Sequence, residues 1–142
     1  MRILITGGCG FLGSHLVEHF LKNTEADLVI LDKLTYASLG FDRLRHVRDG
    51  LVATGIMTAD DWARRILMLT SDLASVGEVG VIREVGEIDF IIHAAAESHV
   101  DRSIIDPMPF LQSNVIGTHN LLWAARDIPS LKRIFMVSTD EV

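Results

Sequence analysis

The chain has 142 residues, of which 49% are hydrophobic and 23% are charged, so it is long enough for one globular domain with its own core. Its net charge of -6 disfavours a binder of nucleic acid or of an anionic membrane, because both need clustered lysine and arginine to neutralise phosphates. The single cysteine excludes an internal disulfide, and no signal peptide or long apolar run is present, so we expect a cytoplasmic protein.

Five short apolar runs alternate with helical patterns, which is typical of strands buried on both faces of a parallel sheet. The predicted strands are Arg2 to Thr6, Asp27 to Asp32, Ile66 to Thr70, Asp89 to Ala94 and Arg133 to Ser138. Between the first two strands, residues recur at helical spacing: Leu16, Val17, Phe20 and Leu21. Between the last two strands, Leu111, Val115, Thr118, Leu121, Leu122 and Ala125 do the same. Right-handed crossovers through such helices predict an α/β, doubly wound (Rossmann) three-layer fold with a parallel sheet in the order 3-2-1-4-5.

The stretch from Thr35 to Arg65 is the least regular part of the sequence. Gly50 and Gly55 predict at least one break in it, and Thr58 with Asp61 three residues later is typical of a helix cap. We therefore expect two short helices there. A variable surface insertion is favoured over a functional lid, because surface loops tolerate changes of length at little cost.

A glycine-rich loop follows the first predicted strand and opens the first predicted helix. The spacing of Gly7, Gly10 and Gly13 lets backbone amides and the helix dipole face a pyrophosphate, since no side chain blocks a close approach. Asp32 ends the second strand 19 residues after Gly13, near the spacing of a carboxylate that binds the adenosine ribose hydroxyls. That carboxylate would repel a 2′-phosphate and favours NAD over NADP, although Lys33 beside it is a cation that could accommodate such a phosphate.

Further motifs stand at Asp32 to Ala37, His93 to Ser103, Ser113 to Thr118 and Ser138 to Val142. With the glycine pattern, they resemble the extended short-chain dehydrogenase/reductase family, specifically its dTDP-glucose 4,6-dehydratases. The glycine spacing is shared by the whole superfamily, whereas the run from Ala95 to Ser103 and Thr139-Asp140-Glu141 are more specific to the dehydratase branch. The resemblance spans nearly the whole chain and departs from the family between Ala37 and Ile66, where the family usually has a shorter segment.

The resemblance implies NAD as cofactor, a nucleotide-sugar substrate, no resident metal and a homodimeric parent enzyme. The implied cofactor contacts are Gly7, Gly10, Phe11, Leu12 and Gly13 at the pyrophosphate, Asp32, Lys33, Leu34 and Thr35 at the adenosine ribose, Asp72 and Leu73 at the adenine, and Ala94, Ala95, Ala96, Glu97, Ser98 and Ser113 along the nicotinamide half. Ser98 and Thr139 would also contact the sugar.

The implied reaction oxidises C4 of a nucleotide-linked glucose, eliminates water across C5 and C6, and returns the hydride to C6. By resemblance Glu141 is the base that removes the C5 proton, and Asp140, kept protonated, is the acid for the C6 hydroxyl. Such a division requires surroundings that separate the two carboxyl pKa values. Because neighbours on a strand face opposite sides, both can face one sugar only if the backbone turns after Thr139.

One expected pair is absent from the sequence. The resemblance implies a Tyr-x-x-x-Lys pair downstream of Thr139-Asp140-Glu141, yet the only tyrosine is Tyr36, and no lysine follows it four residues on. We therefore expect residues 1–142 to be the NAD-binding N-terminal part of a longer enzyme and to be inactive alone. Another sugar-nucleotide dehydratase, a 4-epimerase and a stand-alone NAD-binding module remain alternatives.

Three further sets of residues have reactive or polar side chains. Cys9 is interpreted as a small filler of the loop and not as a nucleophile, since no electropositive partner is evident. His15 and His19 match a zinc-hydrolase pattern with Glu18, but their helix already opens at the glycine loop and no third ligand is evident, so a metal is disfavoured. Asn114 fits two roles equally, as an active-site residue or as a helix-interior hydrogen-bonding residue.

Overall fold

The computed structural model describes residues 1–35 and 38–139. It contains one five-stranded parallel sheet in the order β3-β2-β1-β4-β5, which confirms the predicted fold and strand order. The strands are β1 (Arg2–Thr6), β2 (Asp27–Asp32), β3 (Ile66–Thr70), β4 (Phe90–His93) and β5 (Arg133–Met136). The last two are shorter than predicted.

The helices are α1 (Phe11–Asn23), α2 (Asp42–Ala53), α3 (Ala59–Arg65), α4 (Val76–Val79), α5 (Val81–Glu84), α6 (Val100–Ile105), α7 (Met108–Phe110) and α8 (Thr118–Ala125). A π-helical segment, Leu111–Gly117, joins α7 to α8, so residues 108–125 form one continuous helical run. No helix in the described ranges is both long and apolar enough to cross a bilayer.

The sheet separates two hydrophobic clusters, because successive strand residues point to opposite faces. On one face Ile3, Ile5 and Ile30 pack with side chains of α1 and α2 such as Val17 and Leu51. On the other face the cluster contains Leu4, Val29, Leu31, Val79, Ile82, Ile91, Leu121 and Ala124. Helices therefore cover both faces of the central strands, and the three-layer prediction is confirmed.

The stretch after β2 forms the two predicted helices, α2 and α3. The predicted capping box is present, since Thr58 Oγ1 accepts a hydrogen bond from the Asp61 amide at 3.0 Å and the Asp61 carboxylate accepts one from the Thr58 amide at 3.1 Å. The predicted break lies between the two helices, at Gly55, whereas Gly50 lies inside α2. The interpretation as a surface insertion also needs correction, since Leu44 and Leu51 are buried in the core.

The helical run 108–125 buries only part of the predicted face, since Leu121 and Ala125 are buried as expected but other predicted positions are not. Leu111, Val115 and Leu122 are 49%, 56% and 49% exposed, whereas the buried positions are Ser113, Gly117, Asn120, Leu121, Ala124 and Ala125. A π-helical turn contains more residues than the 3.6 of an α-helix, so extrapolating one helical period across Leu111–Gly117 assigns the wrong face. The inward face of this run therefore carries small and polar residues beside the buried Leu121.

Arg65 is a buried cation that ties two connections together. It is 6% exposed, and its guanidinium donates hydrogen bonds to the Thr24 carbonyl at 2.6 Å and to the Ala26 carbonyl at 2.9 and 3.2 Å. These carbonyls lie between α1 and β2, whereas Arg65 ends α3. The guanidinium therefore fixes the start of β3 against the start of β2.

We expect Arg65→Met to lower the free energy of unfolding by about 1–3 kcal/mol, because it leaves buried carbonyls without donors. Arg64→Met is the matched control. Arg64 is exposed and makes a surface ion pair with Asp61, so its loss should cost no more than about 0.5 kcal/mol. Urea unfolding of both variants measures the difference, and equal stability of the two would contradict this role for Arg65.

Candidate functional site

A cleft lies at the carboxyl edge of the sheet, where β2 and β4 flank β1. It has an empty volume of about 540 Å³, part of it open to solvent. In an open parallel sheet this is the point where the strand order reverses and where ligands bind. The lining residues are Gly7, Gly10, Leu31, Asp32, Lys33, Thr35, Ser38, Ser71, Asp72, Leu73, Ala94, Ala95, Ala96, Glu97 and Ser113.

The glycine loop packs too tightly for side chains at two of its positions. Gly7 has a φ of 70°, and a Cβ there would lie 2.7 Å from the Ala95 Cα. A Cβ on Gly13 would lie 2.0 Å from the Gly7 carbonyl oxygen. These are backbone contacts that cannot rotate away, so the two glycines let β1, α1 and the residues after β4 meet at the cleft.

The N-terminus of α1 opens at the cleft without a cap from any side chain. Gly10 is the N-cap residue, and the first turn carries no acidic residue. The first amides of a helix have no intrahelical acceptor and carry the positive end of its dipole, so an anion can bind them. Phe11 and Leu12 are the first two residues of α1, so their amides are the groups suited to this role.

Asp32 lies between the glycine loop and the loop after β2. Its carboxylate accepts hydrogen bonds from the Cys9 amide at 2.9 Å and from the Leu34 amide at 2.8 Å. A carboxylate has about four lone-pair sites, so acceptor capacity is left for a ligand hydroxyl. Burial and the nearby Asp32 charge raise the pKa of the Cys9 thiol to about 12. Cys9 therefore remains a protonated filler, as expected.

Two charged side chains approach each other at the cleft. Lys33 Nζ lies 3.5 Å from Glu97 Oε1, with side chains 29% and 10% exposed. Lys33 follows β2 and Glu97 follows β4, so this ion pair joins the two sides of the cleft. The charge of Lys33 is therefore partly balanced by Glu97.

The side of the cleft beyond β3 is ordered by polar contacts. The Asp72 amide donates to Glu78, Asp72 Oδ1 accepts from the Ala74 amide at 2.9 Å, and the buried Asn120 donates to the Leu73 carbonyl at 2.9 Å. Ser71 is 5% exposed, and its hydroxyl is the one buried side-chain polar atom in the described ranges without a hydrogen-bond partner.

The other side of the cleft is held by Asn114. Its Oδ1 accepts from the Glu97 amide, and its Nδ2 donates to the Glu97 carbonyl, both at 2.8 Å. Asn114 lies within the helical run 108–125 and is exposed, and its side-chain amide holds the loop after β4, which fits the predicted role as a hydrogen-bonding residue of a helix. Ser113 is 9% exposed and lines the cleft beside it.

His93, the last residue of β4, is buried beneath this loop at 4% exposure. Its Nδ1 lies 2.7 Å from Thr6 Oγ1, and its Nε2 lies 2.8 Å from Thr118 Oγ1. Burial lowers the pKa of His93. The sequence assigns neither Thr6 nor Thr118 a role here, because residue spacing carries no signal for contacts between distant parts of the chain.

The structure brings most of the predicted site residues to one cleft, but not all of them. Gly13, Phe11, Leu12 and Leu34 adjoin it without lining it, whereas Ser98 and Thr139 are exposed and lie outside it. Asp140 and Glu141 lie outside the described residues, as does Tyr36. Leu31, Ser38 and Ser71 line the cleft and were not predicted, although Leu31 and Ser71 directly precede the predicted Asp32 and Asp72.

The two histidines of the zinc-like pattern lie along the exposed side of α1. The His15 ring bonds the Phe11 carbonyl at 2.7 Å, and the His19 ring packs edge-on against Phe20. Within residues 1–35 and 38–139, no group of three or more His, Cys, Asp or Glu side chains is placed to hold a metal ion.

The parallel sheet, the uncapped helix and the strand-end carboxylate define a Rossmann-type nucleotide-binding fold. A family model described as GDP-mannose 4,6 dehydratase matches residues 4–142, so the chain belongs to that family. The resemblance to dTDP-glucose 4,6-dehydratases is confirmed: the enzyme of Salmonella typhimurium is 38% identical over 150 residues. The match covers 100% of this chain and 38% of that relative.

Solved structures show the same fold. A double mutant of the dTDP-glucose 4,6-dehydratase of Streptomyces venezuelae, solved with NAD bound, is 36% identical with a TM-score of 0.73 and is matched over 100% of this chain and 40% of its own. The UDP-Glc/GlcNAc 4-epimerase of Campylobacter jejuni is 27% identical, also with a TM-score of 0.73, over 98% of this chain and 37% of its own. The fold alone therefore does not separate a dehydratase from an epimerase.

We expect Gly13→Ala to lower the free energy of unfolding by about 3 kcal/mol or more, because its Cβ would overlap backbone that cannot move aside. Gly50→Ala is the matched control. Gly50 lies inside α2 with open space around its Cα, so that change should stabilise by about 0.5–1 kcal/mol. Chemical denaturation of both variants tests the contrast. If Gly13→Ala left the free energy of unfolding unchanged, the loop would be able to move apart, and the steric argument would be contradicted.

Proposed function

We propose that this chain binds NAD as the cofactor-binding part of a sugar-nucleotide 4,6-dehydratase. The observation that carries the proposal is the uncapped N-terminus of α1, which meets the cleft beside Gly7, Gly10 and the buried carboxylate of Asp32. That arrangement supplies amides for a pyrophosphate and an acceptor for ribose hydroxyls. The NAD-bound Streptomyces venezuelae relative supports the choice of dinucleotide.

The proposed orientation follows the cleft. The pyrophosphate lies at the α1 amides, the adenosine ribose at Asp32 to Thr35, and the adenine at Asp72 and Leu73. The nicotinamide half lies along Ala94 to Ser98 and Ser113. When bound, NAD would supply the hydride acceptor for C4 of the sugar and, in its reduced form, the hydride donor for C6.

A preference for NAD over NADP is supported by two charges. Asp32 lies where a 2′-phosphate would have to sit, and its negative charge opposes that phosphate. Lys33 is the cation that could compensate, but it is paired with Glu97. Because Glu97 already balances part of the charge of Lys33, Lys33 is less able to attract the 2′-phosphate of NADP.

Calorimetric titration should show NAD binding at least about tenfold more tightly than NADP, a difference equivalent to one charge-assisted hydrogen bond. Asp32→Asn should weaken NAD and narrow this ratio, since the amide is neutral and a poorer acceptor. Asp27→Asn, at the opposite end of β2, is the control and should change neither affinity. Equal affinity of the unmodified chain for both dinucleotides would contradict the role of Asp32.

The proposed substrate is dTDP-glucose, with Ser98 and Thr139 as sugar contacts. Glu141 removes the C5 proton once C4 is a ketone, and Asp140 donates a proton to the C6 hydroxyl as it leaves as water. C5 has then lost its proton and C6 its hydroxyl, so a double bond joins C5 and C6, and the returning hydride reduces it at C6. β5 ends at Met136, three residues before Thr139, at the same carboxyl edge of the sheet as the cleft.

We propose that the 142-residue chain alone does not turn over dTDP-glucose, because its sequence has no Tyr-x-x-x-Lys pair to take the C4 hydroxyl proton. A chimera that continues this chain with the remaining residues of the Salmonella typhimurium relative should form the 4-keto-6-deoxy product. Formation of that product by the 142-residue chain itself would contradict the proposal.

In the same chimera, Glu141→Gln should block exchange of the C5 proton with solvent while C4 oxidation persists. Asp140→Asn should preserve that exchange and slow loss of the C6 hydroxyl by about 10²- to 10⁴-fold, the usual contribution of a general acid. Single-turnover reactions with deuterium at C4 or C5 separate the two steps. If both variants lost only C4 oxidation, the acid and base assignments would be wrong.

A 4-epimerase is the second candidate, favoured by the equal structural similarity to the Campylobacter jejuni enzyme. Epimerisation at C4 needs no acid for the C6 hydroxyl and no base for the C5 proton, so adjacent Asp140 and Glu141 favour the dehydratase. Product analysis of the chimera distinguishes the two, since an epimerase retains the C6 hydroxyl.

We also propose a homodimer that pairs through the helical run 108–125. Its outer side carries exposed apolar side chains: Leu111, Val115, Ile116, Leu122 and Trp123. Such patches mark interaction surfaces. The double substitution Val115→Lys and Leu122→Lys should yield monomers by light scattering after gel filtration, whereas Ala63→Lys on α3 should not. If the unmodified chain were a monomer, the proposal that this surface alone forms the dimer would be contradicted.

A further inference from the structure

The hydrogen bonds around His93 determine which ring nitrogen carries the proton. Thr118 Oγ1 donates its single proton to the Asn114 carbonyl at 2.7 Å. Toward His93 Nε2, 2.8 Å away, the same hydroxyl can therefore only accept. The Nε2 atom must be the donor, so it carries the hydrogen.

The other ring nitrogen then has the opposite role. In a neutral ring with the hydrogen on Nε2, Nδ1 is an acceptor, and Thr6 Oγ1 at 2.7 Å donates to it. Thr6 Oγ1 in turn accepts from the Ala95 amide at 3.4 Å. A single direction of donation thus runs from the Ala95 amide through Thr6, His93 and Thr118 to the Asn114 carbonyl.

This chain of hydrogen bonds joins the parts that form one side of the cleft. Ala95 belongs to the loop after β4 and contacts the glycine loop, where a Cβ on Gly7 would meet its backbone. Asn114 belongs to the π-helical segment and holds Glu97 of the same loop at both its amide and its carbonyl. The His93 ring therefore links the β1 end to the helical segment beneath the loop.

A charged ring would disrupt this arrangement. With hydrogens on both nitrogens, Nδ1 would face the Thr6 hydroxyl proton, and Thr6 is fully buried without another acceptor in the hydrogen bonds of the described residues. Burial of the ring also favours its neutral form. The arrangement therefore depends on one protonation state and one tautomer.

We propose that His93 is a positioning residue for the nicotinamide half of the cofactor. As the neutral Nε2–H tautomer, it fixes the spacing between the loop from Ala94 to Glu97 and the segment Leu111–Gly117. This inference rests on the proposed binding of NAD. It assigns His93 no contact with the cofactor, because the ring acts through the loop above it.

The first test is the tautomer itself, read from ¹⁵N chemical shifts of the imidazole ring in the unmodified chain at neutral pH. The expected result is a protonated Nε2 and an unprotonated Nδ1. A ring protonated on Nδ1, or on both nitrogens, would overturn the inference. This measurement needs neither a variant nor a ligand.

The second test compares NAD with ADP, which has the adenosine and the pyrophosphate of NAD but lacks the nicotinamide and its ribose. Thr118→Val keeps the side-chain shape but removes the acceptor for His93, and it should weaken NAD about three- to tenfold, the usual effect of one lost hydrogen bond. ADP affinity should not change. Thr118→Ser restores the hydroxyl and should restore NAD affinity.

The outcomes separate this inference from the proposed function. If the unmodified chain bound neither ligand, both the proposed NAD site and the role of His93 would be overturned. If it bound NAD and Thr118→Val weakened NAD and ADP equally, or weakened neither, only the role of His93 would be overturned. A purely structural role predicts the equal loss.

Discussion

The whole site depends on one steric constraint, the contact between backbone segments at Gly7 and Gly13. A single methyl group at Gly13 would come within 2.0 Å of the Gly7 carbonyl oxygen, and one at Gly7 would meet Ala95. Because neither glycine has a side chain, α1 can start directly above the end of β1, and the amides of its first turn can face the cleft. The position of Asp32 follows from the same contact, since its carboxylate bonds the Cys9 amide inside this loop.

A second layer of order comes from the helical run 108–125, which fixes both sides of the cleft with polar side chains. Asn120 holds the Leu73 carbonyl on the β3 side, and Asn114 holds Glu97 on the β4 side. Thr118 reaches His93 between them. The inward face of this run therefore combines Leu121 and two alanines with polar and small residues, whereas Leu111 and Leu122 lie on the outside.

The sequence predicted the features that depend on local pattern. Short apolar runs gave the strands, and the glycine spacing with Asp32 gave the nucleotide cleft, because both patterns constrain the backbone directly. The sequence did not predict features that depend on contacts between residues far apart in the chain. The π-helical segment reversed the expected exposure of Val115, and neither the pairing of Lys33 with Glu97 nor the bonds of His93 has a signal in residue spacing. The break expected in the stretch after β2 is present at Gly55, while Gly50 lies within α2, because a glycine inside a helix lowers its stability without ending it.

The most direct test of the central account is a map of backbone amide shifts during an NAD titration of the isotope-labelled chain. If the cleft binds NAD as described, amides of the glycine loop, of Asp32 to Thr35, of Asp72 and Leu73, and of Ala94 to Glu97 should shift together with one dissociation constant. Amides of the exposed groove between α2 and α3, near Phe41 and Trp62, should not move. Shifts confined to that groove, or unchanged amides in Gly10 to Gly13, would contradict the account.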